Sequence, residues 1–292
     1  MSTISSLISS GGGSSEVNDI KFTNNTASLI TTESDEVWLK GGVTETDTTT
    51  YPDATTTLGY SGTSFSTSSE TTDPRAITWD GTYFWVCGGG VPRVYKYNSA
   101  GVYQNFNFYT GTTDGQPWGL TWDGSHLWIA GDANNRIYKW TTAGVLVSSF
   151  SVASQGTAPI GITWDGTYFW VLDQTADAVF KYNASGVYQN VSFSVAAQDG
   201  SAYGIAWDGT YFWMLGTSAD TAYKYTAAGV YTGENFTVGS QDTNPAGIES
   251  VGSDLWVVGG ATNSAYKYSP QIGISAYNSA ASGRGHNYLR IK

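Results

Sequence analysis

Cysteine is almost absent from this 292-residue chain: Cys87 stands alone. No intrachain disulfide can form, and with only two histidines, His126 and His286, a transition-metal site of the usual Cys/His type has no ligand set. Charge is scarce as well, at 13% of residues, and Lys and Arg number 13 against 24 Asp and Glu, a net charge of −11. A chain this acidic offers no basic face for phosphates, which excludes nucleic acid as the main partner. No stretch approaches the ~20 apolar residues that span a bilayer as a helix. The opening MSTISSLISSGGGSSE has neither the basic n-region nor the apolar run of a secretory signal.

What is plentiful is glycine (36), tyrosine (20) and tryptophan (12). These suit short strands and tight turns better than helices. One phrase recurs six times: LITTESDEVWL (29–39), AITWDGTYFWV (76–86), GLTWDGSHLWI (119–129), GITWDGTYFWV (161–171), GIAWDGTYFWM (204–214) and GIESVGSDLWV (247–257). Its last tryptophan falls at Trp38, Trp85, Trp128, Trp170, Trp213 and Trp256, at steps of 47, 43, 42, 43 and 43 residues. A period near 43 made only of strand-like segments predicts an all-β, six-bladed β-propeller of four-stranded blades.

Residues 161–202 show the plan. Gly161–Trp164 is a short apolar strand, and Asp165-Gly166 is a hairpin signal of the I′ kind. Tyr168–Leu172 is the second strand, and Asp173–Asp177 a polar loop. Val179–Tyr182 is the third strand, and Val187–Val195 the outer one. The third strand recurs as VYKY, IYKW, VFKY, AYKY and AYKY, with Lys96, Lys139, Lys181, Lys224 and Lys267 on the face opposite the aromatic pair. Residues 29–67 form a degenerate first blade that has lost the YKY strand. The last blade lacks an outer strand, and Val17–Thr23 is its expected donor, closing the ring from the N-terminal side; Gln271–Tyr277 is the alternative. The domains expected are a tail at 1–15, the propeller at 16–270 and a second tail at 271–292.

The repeat GITWDGTYFWV…YKYNASGVY resembles the NHL/YncE-like group of six-bladed propellers from bacteria and their viruses, over about 29–268. That group shares a fold and no single activity, so the resemblance implies architecture alone. The Ser/Thr/Gly-rich start on a Tyr/Asn/Gly-rich β protein resembles, in composition, virion proteins of tailed bacteriophages. That second resemblance implies a virion location, or otherwise a cytoplasmic one.

Repetition separates structural from functional candidates. Asp80, Asp123, Asp165 and Asp208 recur in the first hairpin and read as turn formers; the lysines read as solvated or salt-bridged. His126 stands where sister repeats carry Tyr83, Tyr168 and Tyr211, and Cys87 reads as a small core residue. Unrepeated polar residues fall on the rim shared by the blade crossings and the second-to-third-strand loops. The candidate ligand or partner site there is Asp114, Trp118, Asn134, Arg136, Gln155, Asp173, Gln198, Asp199, Gln241 and Asp242. Arg284, His286, Tyr288 and Arg290 mark the C-terminal tail as an assembly segment.

Taken together these features predict a non-enzymatic structural or binding propeller without cofactor or metal. It would be a phage tail-fibre, head-fibre or decoration subunit that meets other virion proteins through its tails and host-surface glycan through its rim. The alternative is a free-standing, lectin-like propeller. An enzyme would need convergent acids, a base or a bound metal in the channel, and Asp199 and Asp242, at equivalent crossings, are where Ca²⁺ would be sought.

Overall fold

In a computed structural model of the chain, which describes residues 27–31, 37–41, 56–272, 277–278 and 287–291, every strong repeat folds as the predicted antiparallel four-stranded sheet. The chain divides into two units, Leu58–Pro270 and a second formed by Met1–Thr57 with Gln271–Lys292. Before the repeats come β1 (Ala27–Thr31), β2 (Val37–Gly41) and β3 (Thr56–Ser66). Blade 1 is β4 (Pro74–Trp79), β5 (Tyr83–Gly88), β6 (Arg93–Asn98) and β7 (Tyr103–Tyr109). Blade 2 is β8 (Pro117–Trp122), β9 (Leu127–Gly131), β10 (Arg136–Trp140) and β11 (Leu146–Ser151). Blade 3 is β12 (Pro159–Trp164), β13 (Tyr168–Asp173), β14 (Ala178–Asn183) and β15 (Tyr188–Ser194). Blade 4 is β16 (Ala202–Trp207), β17 (Tyr211–Gly216), β18 (Thr221–Thr226) and β19 (Tyr231–Thr237). Blade 5 takes β20 (Pro245–Val251), β21 (Asp254–Gly259) and β22 (Ser264–Ile272), and its outer strand is β3. After it come β23 (Tyr277–Asn278) and β24 (Asn287–Ile291).

The ring among the described residues therefore has five blades, not six. Inner strands touch in the closed cycle β4, β8, β12, β16, β20 and back to β4. Their backbones meet so closely that the repeat position occupied by Ala76, Gly119, Gly161, Gly204 and Gly247 has almost no room for a side chain. A Cβ added at Gly119 would lie 2.9 Å from the Ile162 amide nitrogen, and one at Gly247 would lie 2.6 Å from Ala76 Cα. The 29–39 copy carries Leu29 at this position, and a leucine cannot enter such a ring. Its segment instead supplies β1 and β2 to a separate sheet of the second unit, ordered β1-β2-β24-β23, with Trp38 opposite Arg290 and Tyr277 opposite Tyr288.

Closure does come from a strand N-terminal to the repeats, but from β3 rather than from 17–23, which lie outside the described residues. The alternative segment, 271–277, contributes Gln271 and Ile272 to the end of β22 and does not form the outer strand. Tyr60-Ser61-Gly62-Thr63-Ser64-Phe65 matches the outer strand of blade 1, Tyr103-Gln104-Asn105-Phe106-Asn107-Phe108, position for position. Phe65 packs against Phe84, Tyr97 and Trp256 at 5.3–5.6 Å between ring centres. The equivalent Phe150 sits against Trp128, Phe169 and Tyr182 two junctions further round. Aromatic rings thus fill each seam between blades, as the YKY pattern predicts.

The WDG hairpins differ in one detail from expectation. Only the glycine has positive φ (+94° at Gly81, +93° at Gly166), as in a II′ turn, whereas I′ requires both central residues to be positive. The aspartate precedes the loop and braces it. Asp165 Oδ1 accepts from the Thr167 and Tyr168 amides, and its Oδ2 accepts from the Trp170 indole at 2.7 Å. The same triple contact recurs at Asp80, Asp123 and Asp208.

Substituting Gly247 by Ala should destabilise the propeller by about 1–3 kcal/mol, since the new Cβ meets backbone that cannot move aside. Gly115→Ala, with open space around it, should change stability by no more than about 0.5 kcal/mol. Urea denaturation of the two variants measures the difference.

Candidate binding site at the channel mouth

Each inner strand begins with a bulge. In blade 3, Pro159 pairs with Asp173 and Gly161 with Leu172, which leaves Ile160 unpaired; the same slip frees Arg75, Trp118, Tyr203 and Ala246. A bulge re-aims a side chain, and these five residues all line the channel where it opens onto the rim. Around them the repeat is nearly constant, yet here it reads Arg, Trp, Ile, Tyr and Ala. The site is asymmetric by sequence on a frame that is close to symmetric.

Arg75 organises the mouth. Its guanidinium lies 3.8 Å from the centre of the Trp118 ring. Its Nε and Nη2 donate to Asp73 Oδ2 at 3.1 and 3.0 Å, and its Nη1 donates to Gln116 Oε1 at 2.9 Å. Tyr203 meets Trp118 edge-on at 5.5 Å. Asp132 completes the rim on this side. Burial, with Asp114 and Asp173 nearby, raises its carboxyl above the usual range, and Arg75 acts in the opposite direction. The space these side chains enclose with the glycine ring beneath them has room for about one water. A ligand would rest on this mouth and not enter the channel. The groups on offer are two aromatic surfaces, a guanidinium edge, an amide and a carboxylate.

One unrepeated carboxyl lies further along the inner strands. Glu249 occupies the place of Thr78, Thr121, Thr163 and Ala206. It spans the junction where blade 5 meets blade 1, accepting at one oxygen from Thr78 Oγ1 (3.0 Å) and from the Trp79 amide (3.2 Å). Burial among protein atoms pushes its carboxyl up from 4.5 to about 8, against the two hydrogen bonds that favour the charged form.

Most of the predicted rim residues hold loops together. Asp114, Asp199 and Asp242 each sit against the glycine that ends the second strand of their own blade, Gly131, Gly216 and Gly259. There they accept backbone amides: Gln116 and Asn134 for Asp114, Ser201 and Ala219 for Asp199, and Asn244, Ala261 and Thr262 for Asp242. Blade 3 builds the same slot in reverse. The crossing carries Gly156 and the strand end carries Asp173, which accepts from the Ala158 and Ala176 amides and from Thr175 Oγ1. Carboxylates ringed by N–H donors present the wrong polarity to a cation, so Asp199 and Asp242 do not form the Ca²⁺ site considered from sequence. Gln155, Gln198 and Gln241 accept from the buried hydroxyls of Tyr182, Tyr225 and Tyr268. Where that tyrosine is Trp140, the glutamine position holds Thr113. Asn134 bonds Asp114 and the Thr113 carbonyl, and Arg136 reaches Ser149 on the outer strand. Of the ten, Trp118 alone reaches the mouth.

Sequence reasoning missed Arg75, Tyr203 and Glu249. Their signal is departure from the repeat at a fixed position, one residue before the inner glycine or two after it. The repeated lysines are held by rings more than by acids. Lys96, Lys181 and Lys224 lie 3.7–4.3 Å from the centres of Tyr83, Tyr168 and Tyr211, and Lys139, in the blade where His126 replaces that tyrosine, lies 5.1 Å from Trp128. Lys224 and Lys267 also pair with Glu234 and Asp254. Cys87 is buried, and burial pushes its thiol up to about 12, so it is an inert core residue as expected. Tyr288 and Arg290 belong to β24, and Arg284 and His286 lie outside the described residues.

Neither a protein-family model nor a curated protein matches this sequence. Among solved structures, the glutaminyl cyclase of Myxococcus xanthus superposes with a TM-score of 0.61 at 11% identity, covering 76% of this chain and 99% of that one. The described residues form a five-bladed β-propeller together with a separate small sheet. A virginiamycin B lyase from Staphylococcus aureus (TM-score 0.44, 18% identity, 86% and 83% covered) and a nidogen/laminin complex (0.48, 15%, 66% and 74%) also resemble the propeller. At these identities the likeness speaks for the fold alone. The expectation that the chain is not an enzyme is nonetheless corrected here, because the solved structure that superposes with a TM-score of 0.61 is a cyclase, so the fold gives no ground for excluding catalysis.

Two predictions test this reading of the propeller. Glu249 holds its proton in the folded state up to about 8 and releases it near 4.5 when unfolded. Stability should therefore be fullest below pH 4.5 with respect to this group, and should fall as pH rises toward 8. In Glu249→Gln that slope should flatten, with the variant more stable than the parent at pH 8; thermal melts from pH 5 to 8 read it. For the loop slots, Asp199→Gly should cost about 1–3 kcal/mol by leaving amides unpaired. Adding Gly216→Asp, which copies blade 3, should restore most of that loss in a double-mutant cycle.

Proposed function

We propose that this propeller is a recognition module that binds a saccharide at its channel mouth, serving host-surface attachment on a phage particle. The observation that carries the binding half is the Arg75–Trp118–Tyr203 cluster. It gathers unrepeated side chains at the one place where bulges aim all five blades toward a common axis. Sugars are bound by aromatic surfaces against their C–H faces and by planar amide, guanidinium and carboxylate groups against their hydroxyls. Trp118 and Tyr203 supply the first, and Gln116, Arg75 and Asp132 the second. A shallow mouth over a space with room for about one water suits an extended surface ligand that is approached from outside. The particle half rests on composition: a Tyr/Asn/Gly-rich β protein with a Ser/Thr/Gly-rich segment resembles virion proteins of tailed bacteriophages.

Glycan-array binding of the full chain, followed by calorimetry with the best ligand, tests the first half. Trp118→Ala and Arg75→Ala should each weaken binding at least about tenfold, equal to about 1.4 kcal/mol, with melting behaviour near that of the parent. Mass spectrometry of purified particles tests the second half.

A further inference from the structure

Outer strands are open edges, and four of the five blades blunt theirs in the same way. A residue with positive φ sits at a fixed position: Gly62 (+82°) in blade 5, Asn105 (+53°) in blade 1, Asn190 (+56°) in blade 3 and Gly233 (+90°) in blade 4. It forces a bulge. In blade 1 the partners of Tyr95 and Tyr97, two residues apart, are Asn107 and Tyr103, four apart, and blades 3 and 4 slip in the same way. Bulges of this kind keep an edge from templating another strand.

Blade 2 has lost that residue. Between Leu146 and Phe150 it is one residue shorter than the sister strands, which accounts for the single 42-residue step of the repeat. Its ladder runs unslipped from Arg136 opposite Ser151 to Lys139 opposite Ser148, with only a one-residue slip at Leu146. The tyrosine that packs on the third strand elsewhere (Tyr97 with Tyr103, Tyr182 with Tyr188, Tyr225 with Tyr231, each 5.7 Å) is also gone. In its place Val145, Leu146 and Val147 form three consecutive exposed apolar residues, at 59%, 44% and 50% exposure.

We propose that the β11 edge is an interaction surface whose partner is a second copy of this chain, paired antiparallel across a two-fold axis. Two observations select that occupant. Antiparallel pairing about Leu146 is self-complementary, setting Leu146 against Leu146 on one face and Val145 against Val147 on the other. Moreover, residues 141–160 contain no charged side chain in a chain whose net charge is −11. Two acidic copies can meet along this edge without placing like charges opposite each other. By contrast, the edge of blade 4 carries Glu234, and those of blades 1 and 3, though uncharged, are bulged.

Sedimentation equilibrium of the full chain from about 1 to 200 µM tests the proposal, a range chosen for the weak association expected of a small interface. A monomer–dimer equilibrium is expected. Two variants should each raise its dissociation constant at least tenfold while leaving the near-UV circular dichroism unchanged. One inserts Asn between Val147 and Ser148 and so recreates the sister edge, which four blades show the fold accepts. The other is Leu146→Lys. A parent that stays monomeric over the whole range, or a dimer unaffected by both variants, overturns the proposal.

Discussion

The propeller depends on backbone meeting backbone around its axis. With five inner strands there is no space for side chains at their midpoint, and that constraint reaches outward into every other feature. It selects glycine or alanine at one position of each repeat, with Gly247 against Ala76 as the tightest approach. It turns the residue just before that position out of the ladder as a bulge and so gathers five side chains at one opening. It also decides which copy of the repeat is admitted: the phrase with Leu29 pairs elsewhere, and β3 from the following segment completes the ring.

Away from the axis, polar side chains mainly hold loops. A rim crowded with Asp, Asn and Gln resembles a binding surface, but most of its oxygens already accept from amides or buried tyrosines in the same blade. The carboxylate slots and the Tyr–Gln pairs recur with the repeat, and where one partner changes, so does the other: Trp140 comes with Thr113, and Gly156 with Asp173. The unrepeated cluster that remains is small and local, namely an arginine clamped by an acid and an amide and stacked on a tryptophan, with a tyrosine edge beside it.

The four full repeats were legible in the sequence because WDG hairpins and YKY strands carry their own turn chemistry and alternation. The blade count was not. A terminal tryptophan in frame made 29–39 look like a blade, whereas admission to the ring depends on the residue at the inner glycine position. The true closing strand was written in plain form as Tyr60…Gly62…Phe65 but lay in a stretch without a WDG marker. Rim candidates were overcounted because a carboxylate in sequence shows its charge and not the amides around it. The mouth was undercounted because a bulge cannot be read from a pattern of alternation; only comparing repeats column by column exposes Arg75, Trp118, Ile160, Tyr203 and Ala246 as its one variable position.

The reversed slot of blade 3 bears on how such an array can change length. Tandem repeats this similar invite unequal exchange between their coding segments. An exchange joining a crossing of the common kind to the strand pair of blade 3 would place Asp against Asp in one slot. The opposite join would place Gly against Gly, leaving amides with no acceptor. Two carboxylates in one buried slot repel each other, and an empty slot lets its loop go. Exchanges whose breakpoint falls between Gly156 and Asp173 are thus penalised whichever way they run, while those among blades 2, 4 and 5 are not. One pair of inverted residues makes that short stretch travel as a unit.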